Sequence, residues 1–308
     1  MIIRPETPSD FAAVAEVNVR AFGGRLEEAV IVALLRQRRA YTPDLSLVAE
    51  VDGEVVGHAL FTPVQMPLMG DTVRAVVLAP LAVDPAAQRR GIGSALMAAG
   101  HAAARQQGAV LSFLLGHPDY YPRFGYRMQA FGWSRMTVQA APQPLEGPWV
   151  ARVPVEADLP ALMALWAHEE GGVDFSMQPE ATLTDWLSPN PFVRCVVYER
   201  DGQVAGYTRV LDSKPADVRV LLAADAEAAR TILQHLAHLA GADSLTLSLH
   251  PASASAGALG QATVETADPF MACPLVPGAL DDGQEAVQSS KRLLGRPLWP
   301  TVFDLALV

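Results

Sequence analysis

An Asp-Gly pair set between two β-rich runs occurs twice in this chain, 149 residues apart. The first lies between Leu45–Val51 and Glu54–Val64. The stretch Val51-Asp52-Gly53-Glu54-Val55-Val56-Gly57 is echoed by Arg200-Asp201-Gly202-Gln203-Val204-Ala205-Gly206. Asp-Gly at such a place is a type I′ hairpin signal, because both central residues need positive φ. An upstream phrase also returns: Arg4-Pro5-Glu6-Thr7-Pro8-Ser9-Asp10-Phe11 is matched by Arg152-Val153-Pro154-Val155-Glu156-Ala157-Asp158-Leu159, its aspartate displaced by 148. A helix closed by glycine and followed by a strand recurs too, as Gly93–Gln107, Gly108 and Val110–Leu115, then as Ala226–Ala240, Gly241 and Ser244–Leu249. Two copies of one fold is the simplest account, and 308 residues are about twice the common single-domain length.

Within the first copy, Ser9 and Asp10 read as a helix start, and Phe11, Val14, Val17, Ala21 and Phe22 fall at helical spacing. Leu26–Gln37 predicts a second helix and Val73–Val83 a third strand. An early antiparallel hairpin with a later β-α-β passage predicts an α/β fold: two tandem domains, each a mixed, mostly antiparallel sheet flanked by helices. Pro142, Pro144, Gly147 and Pro148 punctuate the middle. The expected division is a domain over 1–140, a linker over 141–149 and a second domain over 150–308.

Composition narrows the classes of function. Half of the residues are hydrophobic and 18% are charged, which excludes general disorder. No run approaches the roughly 18 to 20 apolar residues of a membrane span, and Arg4, Glu6 and Asp10 interrupt any secretory leader; a soluble, cytoplasmic protein without a membrane partner is expected. A net charge of −10 argues against nucleic acid and tolerates cationic acceptors. Cys195 and Cys273 are too few for a disulfide framework, and His235 and His238 lack companions for a metal site, so no metal is expected.

Chemistry concentrates in Leu78-Ala79-Pro80-Leu81-Ala82-Val83-Asp84-Pro85-Ala86-Ala87-Gln88-Arg89-Arg90-Gly91-Ile92-Gly93-Ser94-Ala95-Leu96-Met97. A strand enters a short loop that opens into an amphipathic helix. Glycines there clear side chains from the concave side, so successive backbone N–H groups can face one anion. The first turn of the helix adds unpaired donors and a positive dipole end, and Arg89 and Arg90 add charge suited to phosphate. The segment is neither a Walker loop nor a full dinucleotide turn, since Leu96 stands where the third glycine belongs.

Gln88-Arg89-Arg90-Gly91-Ile92-Gly93 resembles the Gln/Arg-x-x-Gly-x-Gly/Ala motif of the GCN5-related N-acetyltransferases, and Pro80-Leu81-Ala82-Val83 resembles the strand before it. Gly116-His117-Pro118-Asp119-Tyr120-Tyr121-Pro122-Arg123-Phe124-Gly125-Tyr126 is similar to the family's Tyr-x-x-x-Gly-Phe segment. The resemblance covers roughly residues 1–135. It implies acetyl-CoA as cosubstrate in a V-shaped opening of the sheet, its pantetheine arm along Leu81, Ala82 and Val83. The pyrophosphate would rest on the N–H groups of Gln88, Arg89, Arg90, Gly91, Ile92, Gly93 and Ser94. It implies direct attack on the thioester by a primary amine of a small molecule or peptide. Tyr121, four residues before Gly125, then occupies the general-acid position, with Tyr120 as the alternative donor; a phenol, protonated at neutral pH, can donate to a departing thiolate.

No carboxylate lies on Val76–Val83, so a water chain ending at Glu27, Glu28, His58, His117 or Asp119 is the expected base. Phe22 and Met66–Met69 are candidate walls of the acceptor pocket.

The second copy lacks this motif. Val83 to Gly108 spans 25 positions and Leu222 to Gly241 only 19, a difference of six, the length of the phosphate motif. Asp225 and Glu227 at the helix start stabilise it but repel a pyrophosphate. The second copy is expected not to bind CoA, and instead to wall the acceptor cleft, to hold the first domain or to mediate self-association into a homo-oligomer. An active and a degenerate copy in tandem is similar to the enhanced-intracellular-survival acetyltransferases, although the roughly 30 residues after Pro277 are too few for their third domain. The alternative to an enzyme is a non-catalytic acyl-CoA-binding sensor or scaffold.

Overall fold

The computed structural model describes residues 1–280 and 300–306. The chain opens with β1 (Ile2–Pro5), α1 (Phe11–Ala21) and α2 (Glu27–Leu35). It continues through β2 (Ser46–Val51), β3 (Glu54–Leu68) and β4 (Asp71–Val83) to α3 (Ile92–Gln106) and β5 (Leu111–Leu115). These five strands lie side by side in chain order, antiparallel except for β4 and β5, which run parallel because α3 carries the chain back. Asp52 and Gly53 both take positive φ (53° and 86°), as do Asp201 and Gly202 (54° and 73°), giving the expected hairpin turns. Alternate residues of β3 serve opposite faces. Ala59 and Phe61 pack with Leu96 and Met97 of α3, whereas Leu60 joins Val14, Ile31 and Leu35 of α1 and α2.

The chain then forms β6 (Trp133–Gln139), β7 (Trp149–Arg152), α4 (Leu159–Glu170), β8 (Val193–Arg200) and β9 (Gln203–Leu211). After these come β10 (Asp217–Ala223), α5 (Ala226–Ala240), β11 (Ser244–Leu247), α6 (Ala256–Leu259), β12 (Thr263–Glu265) and β13 (Phe270–Pro274). A seven-stranded sheet has the order β12-β6-β11-β10-β9-β8-β7, with β10 and β11 parallel. Leu162, Leu165 and Trp166 of α4 cover one face with Val197, Tyr207 and Leu222, and Ile232, Leu233 and Leu236 of α5 cover the other. Trp186 lies in the α4 layer, edge-on to Tyr207 at 5.2 Å. The architecture is thus mixed α/β with two mixed sheets flanked by helices.

The two sheets exchange strands. β6 pairs antiparallel with β11 of the second sheet, while β13, from the far end of the chain, pairs with β5 and completes the first sheet as its sixth strand. Residues 141–149, expected as a linker between domains, therefore join β6 to β7 within a single sheet. No strand was legible at 133–139 or 263–274, because their partners are more than a hundred residues away.

One ion-paired knot appears at both hairpins. Arg4 donates to both oxygens of Asp10 (2.7 and 2.9 Å) and to Glu50 (2.9 Å). Arg152 donates likewise to Asp158 (2.6 and 2.7 Å) and Glu199 (2.9 Å). Glu50 and Glu199 each stand at the register shift of their hairpin. Asp10 also accepts the Thr7 N–H, and Asp158 the Val155 N–H, both at 2.8 Å. Each aspartate thus starts a helix while its arginine fork ties the first strand to the hairpin. The two halves meet at Arg38, buried against Asp185, and at Glu180, which accepts the backbone N–H groups of Arg39 and Ala40 at 2.9 Å. A 3₁₀ turn at Thr301–Ala306 lies against α2, anchored by Asn190 to the Asp304 carbonyl (3.0 Å) and by the Arg209–Asp304 pair. No helix among the described residues is long and apolar enough to cross a membrane.

The Arg4 hydrogen bonds hold the Asp10 carboxyl well below the usual carboxylate range, against the opposing effect of burial. A depressed folded pKa stabilises above the unfolded value, and the gain is lost as pH falls. Asp10→Asn is therefore expected to cost about 1–3 kcal/mol at neutral pH, a gap that narrows as pH drops below about 4. Urea unfolding at several pH values checks this; a gap independent of pH would show that charge plays no part in the knot.

Candidate functional site

The site begins where two parallel strands part. β4 pairs with β5 only at Ala75–Leu111, Val76–Ser112 and Val77–Phe113, although β4 continues to Val83. On its other side the ladder to β3 slips between Leu81–Ala59 and Leu78–Phe61, leaving Ala79 and Pro80 as a bulge that bends β4 away from β5. Asp84 N–H reaches Val56 O at 2.9 Å. By the alternation of the ladder, the N–H and C=O groups of Leu81 and Val83 then face into the V.

The strand leads directly into a ring of donors. Gln88 Nε2 bonds the Val83 carbonyl at 3.2 Å, Arg89 and Gly91 take left-handed conformations (φ 61° and 81°), and α3 starts at Ile92. The first backbone bond of the helix is Ala95 N–H to Gly91 O at 3.0 Å. Among the described residues, no backbone N–H from Gln88 to Ser94 donates to a carbonyl. Alternating left- and right-handed residues make such a run concave, and the positive end of α3 points the same way. This concavity opens into a cavity of about 640 Å³. Leu81, Val83, Gln88, Arg89, Gly91, Ile92, Gly93 and Ser94 line it. Of the residues expected there, Ala82 is buried opposite His58 and Arg90 is exposed outside the lining.

Tyr120 and Tyr121 close the cavity on the β5 side. A Cβ on Gly93 would stand 2.3 Å from the Tyr120 hydroxyl, so that hydroxyl lies over the first turn of α3. Arg123 stacks over the Tyr120 ring at 4.1 Å. Tyr121 packs on Gly116, where a Cβ would fall 2.4 Å from its ring, and meets Tyr120 edge-on at 5.0 Å. Burial, aided by Tyr120, pushes the Tyr121 phenol up to about 12, so it is fully protonated at neutral pH. Tyr126 is instead a core residue, bonded to Ser112 (2.6 Å) and His101 (3.1 Å).

A second cavity, of about 540 Å³, adjoins the first and shares Leu81, Val83, Gln88, His117 and Tyr121 with it. Its further walls are Phe22, Glu28 and Ile31 from the α1–α2 region, Val77–Pro80 of β4, Leu115 and Gly116, and Phe303 and Ala306. Glu28 is 7% exposed: Arg25 bonds its Oε1, and its Oε2 is buried without a hydrogen-bond partner. Phe22 is a wall as expected, whereas Met66 is wholly buried in the core beside Phe113 and Phe131, and Met69 sits at the β3–β4 turn. His58 is also core. It is fully buried between Ser46 (3.1 Å) and Asn18 (3.3 Å), and burial lowers its pKa to about 4. Glu27 and Asp119 line neither cavity; His117 lines both. Phe303 and Ala306 were not foreseen, because no local pattern links the chain's end to α2.

The second half presents the same frame in a closed state. β10 and β11 pair only to Val218–Leu247, and Ala224 N–H bonds Ala205 O at 2.9 Å, as Asp84 bonds Val56. Here, however, the Ala223 N–H is accepted by Glu169 at 3.3 Å. Glu169 further holds Ser255, and Glu170 holds Ser176 and Ser253 (both 3.1 Å). Asp225 caps α5 through the Ala228 N–H (2.8 Å) and pairs with Arg200 (2.7 Å). The residues 148 positions before Glu169 and Glu170 are Ala21 and Phe22, which leave the first V unfilled.

A family profile described as an acetyltransferase (GNAT) domain matches residues 2–129. YjhQ, an uncharacterized N-acetyltransferase of Escherichia coli K12, is 41% identical over 118 residues, which are 38% of this chain and 65% of that protein. YhbS, another uncharacterized N-acetyltransferase of the same strain, is 34% identical over 131 residues, 42% of this chain and 75% of YhbS. The crystal structure of Eis1 from Mycobacterium abscessus shares the fold over 89% of this chain and 74% of its own, with a TM-score of 0.61 at 20% identity. The match to YhbS over three quarters of its length, together with a family profile over residues 2–129 that include the open V, places this chain in the GCN5-related N-acetyltransferase (GNAT) family.

Proposed function

We propose that the first half transfers an acetyl group from acetyl-CoA to the primary amine of a small molecule or peptide, by direct attack within a ternary complex. The observation that carries this reading is the run of N–H groups from Gln88 to Ser94 that bond no carbonyl among the described residues, opening into the same space as the β4 edge at Leu81 and Val83, whose Val83 carbonyl is met by Gln88. A diphosphate fits the first feature, with Arg89 at its rim. An extended, amide-bearing arm fits the second as an added strand. Tyr121 stands where the two cavities join, and its phenol keeps its proton until a thiolate needs one. Backbone donors fixed in the V are suited to stabilising charge that develops on the thioester oxygen. With no carboxylate on β4 beside the loop, the proton lost by the amine would pass through water to His117, the expected terminus that lines both cavities. The same absence favours the sensor reading, in which the chain would bind acetyl-CoA without turnover. In either case the second half takes no coenzyme, because Glu169 and Asp225 already satisfy the donors that would receive it.

Calorimetry with CoA is expected to give one site per chain. Gly91→Glu is expected to give none, since it sets a carboxylate in the nest and strains a left-handed position; binding that survives it would place the site elsewhere. With acetyl-CoA and a panel of amines, free thiol is expected, and Tyr121→Phe should slow its release about 100-fold at saturating substrates. Undiminished turnover by Tyr121→Phe would remove that tyrosine from the chemistry, and CoA binding without thiol release from any amine would favour the sensor.

A further inference from the structure

The second cavity says something about the acceptor. Its walls from α1, α2, β4 and the segment after β5 are largely hydrocarbon: Phe22, Ile31, Leu78, Leu115 and Phe303. Among the described residues that line it, Glu28 is the one carboxylate and there is no lysine or arginine. A carboxylate taken out of water is costly unless its oxygens are all bonded. Arg25, itself more than half exposed, serves Oε1; Oε2 is buried and unbonded. A small rotation of the Glu28 side chain, which already lines the cavity, would turn this oxygen to an ammonium brought there and complete the set with a charge-assisted bond. A second or third positive charge on the same molecule would instead be stripped of water against the hydrocarbon walls, with no second anion among the described lining residues to receive it.

Resting on the transferase reading above, we propose that Glu28 is the acceptor-recognition carboxylate, and that the acceptor is an amine with a single cationic centre on a substantial apolar body rather than a polycation. The overall charge of −10 would draw any amine toward the protein. The selection is made at the wall, by what the cavity cannot solvate. Glu28 would touch the substrate nitrogen directly, whereas a role confined to holding Arg25 would leave the choice between amines unchanged.

The test uses the full chain with acetyl-CoA and three probes: octylamine, 2-phenylethylamine and spermidine. The two apolar monoamines are expected to have KM values at least about ten-fold below that of spermidine, as one desolvated charge would dictate. Glu28→Gln, which keeps the side chain's shape, is expected to raise the octylamine KM about ten-fold or more with little change in kcat. Calorimetric CoA affinity should stay as in the wild type, and Glu28→Asp should recover part of the loss. Preference for spermidine, or an octylamine KM that Glu28→Gln leaves unmoved, would overturn the assignment while acetyl transfer itself stood. If CoA binds but no amine releases thiol, the transferase reading fails separately. Titration of octylamine into the CoA-loaded protein then decides the acceptor site: binding that Glu28→Gln abolishes upholds it, and absence of binding ends it.

Discussion

A buried strand edge must find partners for its backbone groups, and the two halves of this chain meet that demand in opposite ways. In the first, the bulge at Ala79-Pro80 parts β4 from β5 and leaves Leu81 and Val83 facing a cavity. In the second, β10 leaves β11 at the equivalent place, but Glu169 reaches across to the Ala223 N–H and brings the 253–255 loop with it. The same frame is therefore open in one instance and sealed in the other. The difference lies in one pair of positions at the end of a helix: Ala21 and Phe22 are short of hydrogen-bonding groups, and Glu169 and Glu170 are not. A site for an extended ligand is, in these terms, a strand edge whose partner strand has been withheld.

The open edge depends on the sealed half for its setting. β13 supplies the sixth strand beside β5, and β6 leaves in exchange for the second sheet. Arg38, Asp185 and Glu180 tie α2 and the chain after it to the other half. Asp304, paired with Arg209 of β9, holds the turn that presents Phe303 and Ala306 to the second cavity. The walls of the proposed acceptor space thus come from both ends of the chain.

Much of this was legible in the residue order. The hairpin turns at Asp52-Gly53 and Asp201-Gly202, the helix starts at Asp10 and Asp158, and the donor-rich turn from Gln88 to Ser94 are all local. Each needs only a few neighbouring residues to set φ, to offer a cap or to clear space with glycine. The absence of that turn before α5 was equally plain. Less legible was which polar residue served chemistry and which served packing. His58 reads as a cleft candidate on an alternating strand, yet its alternation points it into a wholly buried trio with Ser46 and Asn18. Met66 likewise belongs to the aromatic core rather than to a pocket.

The residue order by itself determined the hairpins and the main helices of the two repeats, the repeated arginine–aspartate phrase and the position of the phosphate-type loop, because these follow from short-range sterics and hydrogen bonding. Tertiary structure decided which strand lies beside β5, whether each V stays open, and that Glu28 shares a cavity with Phe303. Those outcomes turn on groups that meet across some fifty to more than two hundred residues, where burial and the need to pair every backbone group choose among partners that no local pattern distinguishes.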